Sequence, residues 1–342
     1  MKPTKEGKRF LLATLLIAVA AINTGNNLIY LVLAMMLSIL VISIAVLDLN
    51  LRGLVLGLSI IQPVFAKSRS LLKVSLLNKK KFMPSYSIHV TFPEGIEGQC
   101  TVPHVSSSSQ VSVEIEGMFK RRGIFRYGDF SLESSFPFIL FKESVRARVG
   151  GEVIVYPEIK EIDELIPEMI GSDYAPYVTR HGPGDEFLMI REFRYGDNMR
   201  RVQWKTSAKT GKLMVKDMGI DEPRLLTIIL DNIKSPHPTL TKGGITSFEK
   251  AVSFAASLAY RFIMIGFFVR LMTCKKVIPF GSGSEHLFKI LDALALIDED
   301  DTWECPMMHE MQGSGVLILK SDDSSLKGAA PMCSMVVYAS EL

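Results

Sequence analysis

Hydrophobic and polar positions fall into three textures along this chain. The first is an unbroken apolar run, Leu28 to Leu47, of 20 residues without a charge and rich in Leu, Ile, Val and Met. At 1.5 Å per residue such a helix is about 30 Å long, the thickness of a bilayer's hydrocarbon core. A shorter run, Phe10 to Ile22, precedes it and ends in Asn23-Thr24-Gly25-Asn26-Asn27. Taken alone it has the form of a signal-peptide core, since it follows Lys2, Lys5, Lys8 and Arg9. No small-residue cleavage pattern separates the two runs, and the second follows too closely to begin a mature domain. The pair predicts a transmembrane helical hairpin over residues 1–50.

Alternation marks the second texture. Leu72–Leu76, Ser87–Phe92 and Val111–Ile115 each repeat with period two, which sets one face on a core and the other toward water. Pro93-Glu94-Gly95 and the serines from Ser106 to Ser109 supply turns. Strands at this spacing predict a small all-β domain, a sandwich or barrel, over residues 51–150.

In the third texture, residues 151–342, strand and helix patterns alternate. Leu225 to Leu230 is a continuous apolar run ending at Asp231, as for a strand buried on both faces. Thr246 to Ile265 follows a helical period, with Phe248, Val252, Ala255, Ala256, Ala259 and Phe262 on one stripe. Phe267 to Met272 reads as a strand. Ser284 to Ile297 reads as a second amphipathic helix, with Ser284 as its N-cap. Val316–Leu319 and Met335–Tyr338 supply further strands, whereas Lys320 to Pro331 supports a helix only weakly. The alternation predicts an α/β domain with a parallel sheet. Ligands of such sheets bind beyond the carboxyl ends of the strands, which singles out Asp231–Ser235 and Gly281–Ser284. Neither a G-x-G-x-x-G nor a Walker A pattern is present, so there is no nucleotide signal.

Composition sharpens the address. A hydrophobic share of 48% and a mean hydropathy of +0.24 reflect the N-terminal runs. Lys2, Lys5, Lys8 and Arg9 precede the hairpin and Arg52, Lys67 and Arg69 follow it, while its turn is uncharged. Basic flanks stay inside, so the N-terminus and the C-terminal part are both expected in the cytoplasm. Cys100, Cys274, Cys305 and Cys333 form no C-x-x-C pair and read as free thiols. The six histidines show no ligand spacing, and a net charge of +3 is too small to argue for nucleic acid. The juxtamembrane cations suit an anionic lipid bilayer as partner.

The densest chemistry lies between Gly184 and Lys216. From Asp185 to Asp217 there are eight Lys/Arg against five Asp/Glu. Gly196 suits a tight turn, and Asp197 reads as the N-cap of a short helix. Val202 and Ala208 are expected to face the core, and Trp204 to be mostly buried. Glu192 or Asp185 can pair with Arg191, Arg194 or Arg200. The stretch reads either as a cross-braced structural knot or as an arginine-rich docking surface for an acidic or phosphate-bearing partner. Its candidate residues are Asp185, Glu186, Arg191, Arg194, Asp197, Arg200, Arg201, Trp204 and Lys205. Lys205 with Ser207 would be the pair for a Ser/Lys hydrolase, with no third group to orient them.

These residues carry a resemblance. Asn23-Thr24-Gly25-Asn26-Asn27, Phe136-Pro137-Phe138 with Phe141, Val155-Tyr156-Pro157 and Gly184-Asp185-Glu186-Phe187 stand in its order. Arg191-Glu192-Phe193, Tyr195-Gly196-Asp197, Arg200-Arg201, Trp204-Lys205, Ala208 and Leu213-Met214-Val215-Lys216 complete it. The chain resembles the domain of unknown function 58 family, bacterial membrane proteins with a von Willebrand factor A-like, Rossmann-like α/β domain. The resemblance implies a non-enzymatic adaptor or chaperone-like protein in the bacterial inner membrane, serving the assembly or maturation of protein complexes. Its implied partners are a MoxR-type AAA+ ATPase and a transglutaminase-like membrane protein. A metal-dependent or Ser/Lys hydrolase and a passive envelope scaffold are the alternatives. Von Willebrand A domains often hold a divalent cation through D-x-S-x-S. Here Asp231, Ile233 and Ser235 take those places, and Ile233 offers no oxygen. No firm metal site is expected, only a weakly held Mg2+, and no other cofactor. Ile139 stands where the family usually has Gly, which predicts an altered turn.

Overall fold

The computed structural model describes residues 1–162, 177–234, 246–301, 313–320 and 324–340. The chain divides into two units, Met1–Tyr156 and Pro157–Leu342. The first unit begins with β1 (Lys2–Pro3), α1 (Lys5–Thr24), α2 (Asn27–Leu51), β2 (Leu54–Ile60), β3 (Val64–Phe65) and β4 (Arg69–Asn78). It continues with β5 (Ser85–Thr91), β6 (Ile96–Glu97), β7 (Gln99–Val105), β8 (Gln110–Phe119) and β9 (Gly123–Arg126). β10 (Asp129–Ser134), β11 (Phe141–Arg148) and β12 (Glu152–Tyr156) complete it.

Both helices are long and apolar enough to cross a membrane. Leu12, Leu15, Leu16, Val19, Leu31, Met35 and Val41 face outward, so these side chains meet the surroundings and not a protein core. The polar segment between the runs is the hairpin turn. Gly25 closes α1, and Asn26 caps α2 by accepting from the Leu28 amide at 2.9 Å.

The helical hairpin is not a domain apart from the β-rich region. α2 runs on to Leu51 and buries Leu47 and Leu51. Asn50 accepts from the Tyr86 amide at 2.8 Å and donates to the Tyr86 carbonyl at 2.8 Å and to Ser134 Oγ at 2.9 Å. Lys80 donates to the Leu49 and Asn50 carbonyls at 2.7 and 2.9 Å, satisfying groups that a helix end leaves orphaned. Burial there holds the Lys80 ammonium's pKa below its usual value. At the other end β1 pairs with β11, and Gly7 lies so close to the β10–β11 loop that a Cβ would collide with the Leu140 carbonyl oxygen. The N-terminus and the strands therefore share one end of the hairpin.

The strands form a sheet of order β1-β11-β10-β5-β7, a second of order β2-β4-β8-β6, and a smaller β3-β12-β9. Val74 and Leu76 from the second pack against Ile88, Val90, Val102, Phe130 and Leu132 from the first, the core of a sandwich. β12 pairs with β3 and β9, so the first unit ends at Tyr156 and not at residue 150. Ile139 keeps a left-handed φ of 60° where glycine was expected, so the turn is retained with a strained residue in it. The Thr4 hydroxyl holds its carbonyl at 2.5 Å.

In the second unit β13 (Tyr177–Glu192) leads through α3 (Trp204–Thr210) into β14 (Met214–Pro223), with which it pairs antiparallel. Then come β15 (Leu225–Leu230), α4 (Ser247–Met264), β16 (Phe268–Met272), β17 (Val277–Gly281), α5 (Gly283–Leu296), β18 (Ser314–Leu319) and β19 (Met335–Tyr338). Their sheet has the order β17-β16-β15-β18-β19. It is parallel apart from β17, which runs antiparallel to β16. Leu226, Ile228, Val269, Leu271, Val316 and Ile318 are buried on one register set, beside the apolar stripe of α4. A 3-10 helix, Ser325–Met332, covers Ile229, Met272, Leu317 and Leu319 from the other.

Three expectations change here. β17 reverses the chain, so Gly281 lies opposite Val269 at the amino end of the parallel strands, away from the ligand edge. The N-cap of α5 is Ser282 and not Ser284. The weakly helical tail is helical after all, although Pro331 and Gly328 keep it 3-10.

Candidate functional site

Arg191, near the end of β13, organises the signature stretch. Its guanidinium grips Asp197 with both terminal nitrogens, at 2.7 and 2.8 Å, and reaches Asp217 on β14 through Nε at 3.2 Å. Asp197 also accepts from the Arg194 amide at 2.7 Å, closing a turn in which Gly196 takes a φ of 104°. A bidentate guanidinium–carboxylate pair is directional as well as attractive. It lowers the Asp197 pKa to about 2 and raises that of Arg191.

The rest of the connection folds back on the start of β14. Phe193 donates to the Leu213 carbonyl and Gln203 to the Met214 carbonyl, each at 2.8 Å, and Val202 bridges to Val215, both buried. Ser207 donates to the Gln203 carbonyl at 2.9 Å and accepts from the Met214 amide at 2.8 Å. That leaves its hydroxyl a structural link. Lys205 is exposed, and residues two apart on a helix do not face each other, so no nucleophile–base pair forms.

Several expectations fail in an instructive way. Asp197 does not cap the short 3-10 turn Met199–Arg201; Asn198 does, accepting from the Arg200 amide at 3.0 Å. Asp197 is the partner of Arg191 instead, a role expected of Asp185 or Glu192. Glu192 pairs with Lys212. Asp185 and Glu186 belong to β13, next to a bulge, and their side chains lie outside the described residues. Trp204 is not buried: it is 64% exposed, and Ala208 is exposed as well. Tyr195 stands wholly in solvent, and Met199 and Leu213 are exposed. Arg194, Arg200, Lys205 and Lys209 are exposed around them, with Arg201 half-buried. From Phe193 to Leu213 there are six Lys/Arg and one acid, Asp197, which Arg191 already neutralises. The stretch is thus both things at once: a braced frame carrying an aromatic and cationic outer face.

A second locus lies at the carboxyl edge of the parallel sheet. The order of strand addition reverses between β15 and β18, the place where open α/β sheets receive ligands. Asp231 is buried there, accepting from the Ile233 amide at 3.0 Å and the Ser324 hydroxyl at 2.6 Å. Asn232 accepts from the Cys274 amide at 2.8 Å and donates to the Asp298 carbonyl at 3.0 Å. Ser235 lies outside the described residues. Lys320 and Glu299 complete the cluster and were not anticipated. Their signal was present: Lys320 directly follows a doubly buried strand, as Asp231 does. Beside the cluster opens a cleft of about 340 Å³, lined by Thr273, Lys275, Asp292, Asp298 and Asp300 among others. Burial pushes the Cys274 thiol up to about 11 and also raises Cys100 and Cys333. None of the three is in a disulfide, and Cys305 lies outside the described residues.

Comparison with known proteins agrees with the signature. Residues 189–314 match the family described as "Protein of unknown function DUF58". The match takes in most of the braced element and the sheet through the start of β18. The chain is also 23% identical over 240 residues to "Uncharacterized protein YeaD" of Bacillus subtilis (strain 168). That alignment covers 65% of this chain and 57% of the relative's length.

Proposed function

We propose that this protein is a membrane-anchored, non-enzymatic adaptor whose signature element docks a protein partner at the cytoplasmic face of a bacterial inner membrane. The helical hairpin is the anchor, with basic residues on both flanks and both chain ends on the cytoplasmic side. The α/β unit is a von Willebrand factor A-like domain, a reading supported by its open parallel sheet with one antiparallel edge strand. The partner is a MoxR-type AAA+ ATPase, acting with a transglutaminase-like membrane protein in the assembly or maturation of other complexes.

One observation carries the docking reading. Tyr195 and Trp204 are held in solvent on a frame fixed by Arg191, Asp197 and Asp217, with cations around them. Tyr, Trp and Arg are the residues that dominate interface hot spots, and a pre-ordered frame lowers the entropy cost of binding. The exposed cations Arg194, Arg200, Lys205 and Lys209 select an acidic partner face.

The test is affinity capture from detergent-solubilised membranes, with the bound proteins identified by mass spectrometry. Wild type should enrich an AAA+ ATPase over a variant carrying Tyr195→Ala, Arg200→Ala and Trp204→Ala. Equal recovery from both would refute the proposal. Arg191 is unsuitable as the control, because its loss opens the frame as well as the surface.

A further inference from the structure

At the switch point between β15 and β18 the crevice is filled from within. Lys320 follows β18 and is 3% exposed. Its Nζ donates to the Ile233 carbonyl and, at 2.6 Å, to Glu299 Oε1, and stands 5.6 Å from the Phe248 ring centroid. The Asp231 amide bonds to the Ile318 carbonyl at 3.0 Å, which places Asp231 and Lys320 on neighbouring strand ends. One side chain thus ties together three segments: the loop after β15, the loop after α5 and the end of β18. Further bonds close the same junction, from the Lys234 amide to the Asp300 carbonyl at 2.6 Å and from the Asp300 amide to the Asn232 carbonyl at 2.7 Å.

A hard divalent cation at this place needs several free oxygens in near-octahedral array. Among the described residues the donor set does not fit one while the Lys320 ammonium is in place. Both Asp231 oxygens are engaged, one by the Ile233 amide and one by the Ser324 hydroxyl. The Ile233 side chain offers no oxygen, and the converging Ile233 carbonyl and Glu299 carboxylate already hold an ammonium group. A lysine ammonium is a compact point charge, and a second cation beside it would meet direct repulsion.

We infer that Lys320 is the resident cation of this crevice, standing in place of a metal ion. The inference is independent of the docking proposal. It has a further consequence: removal of the ammonium with retention of the oxygens converts the junction into a divalent-cation site.

The experiment follows thermal unfolding of the full-length protein in detergent, with Mg2+ or Mn2+ added at matched ionic strength. Wild type should show no shift. Lys320→Ala should melt lower and regain several degrees with Mn2+, and Glu299→Gln in that background should abolish the gain. A folded Lys320→Ala that gains nothing overturns the inference. Titration of wild type with Mn2+, read by electron paramagnetic resonance, covers the case in which the variant does not fold. Full free-ion amplitude is expected, and a bound fraction that Asp231→Asn releases overturns it.

Discussion

Replacing Tyr195 and Trp204 together by alanine separates bracing from docking. Tyr195 has no buried area to lose, and a surface substitution of that kind stays within about 0.5 kcal/mol. Trp204 is 64% exposed, so roughly a third of the ~200 Å² that such a side chain can bury is covered. At about 25 cal/mol per Å² that contact is worth at most ~1.7 kcal/mol. Alanine returns about 0.5 kcal/mol at a helical position, leaving a net loss near 1 kcal/mol. In a unit of this size that lowers Tm by roughly 2–4 °C. A tryptophan buried as a brace would instead cost about 3–5 kcal/mol, a fall of roughly 6–20 °C. For partner binding the expectation is reversed. Two hot-spot aromatics contribute about 2 kcal/mol or more each, so affinity should fall at least ~30-fold for either and further for both. Differential scanning fluorimetry and binding of the immobilised full-length protein to purified partner read the two effects. A collapse of Tm, or an intact protein with unchanged affinity, would refute the reasoning.

Ile139→Gly should stabilise the protein. The left-handed φ of 60° costs a non-glycine residue about 1–2 kcal/mol, glycine's extra unfolded-state entropy takes back about 0.5–1, and the side chain is exposed. A Tm at or below wild type would show that the turn is unstrained. Asp197 has a folded pKa of about 2, below its ordinary 3.8, so its contribution is present above about pH 4 and lost as pH falls toward 2. In a Trp303→Phe background, Trp204 fluorescence should report opening of the frame in that window, and Asp197→Asn should be open already at neutral pH. Cys274, buried with its thiol pushed up to about 11, should resist iodoacetamide at pH 8 until the protein is unfolded. Rapid native labelling would contradict the described packing.

Elements governed by local pattern were legible in the sequence. The helical hairpin, β15 at Leu225–Leu230 and β19 at Met335–Tyr338 stand where periodicity places them, because each is defined by its own apolar run. Features that depend on a distant partner were not. β12 looks like any short strand, and its membership of the first unit comes from pairing with β3 and β9, about 30 to 90 residues earlier. β17 holds Pro279 in five residues, a pattern that argues against a strand except at a sheet edge, where it lies. Missing it put Gly281–Ser284 at the wrong end of the sheet. At the signature, residue types were read correctly and their partners were not. Asp after Gly suggests a cap, and only the fold brings Arg191 to it. Tryptophan suggests burial as an average, while Trp204 opens a short helix that buries none of its residues and is tied back through Ser207 to Gln203 and Met214.

Capture from solubilised membranes tests the central claim most directly. The full-length wild type and the folded Tyr195→Ala/Arg200→Ala/Trp204→Ala variant are compared at equal loading. An AAA+ ATPase should be enriched with wild type and reduced at least tenfold with the variant. Equal recovery from both, or no ATPase with either, would contradict it.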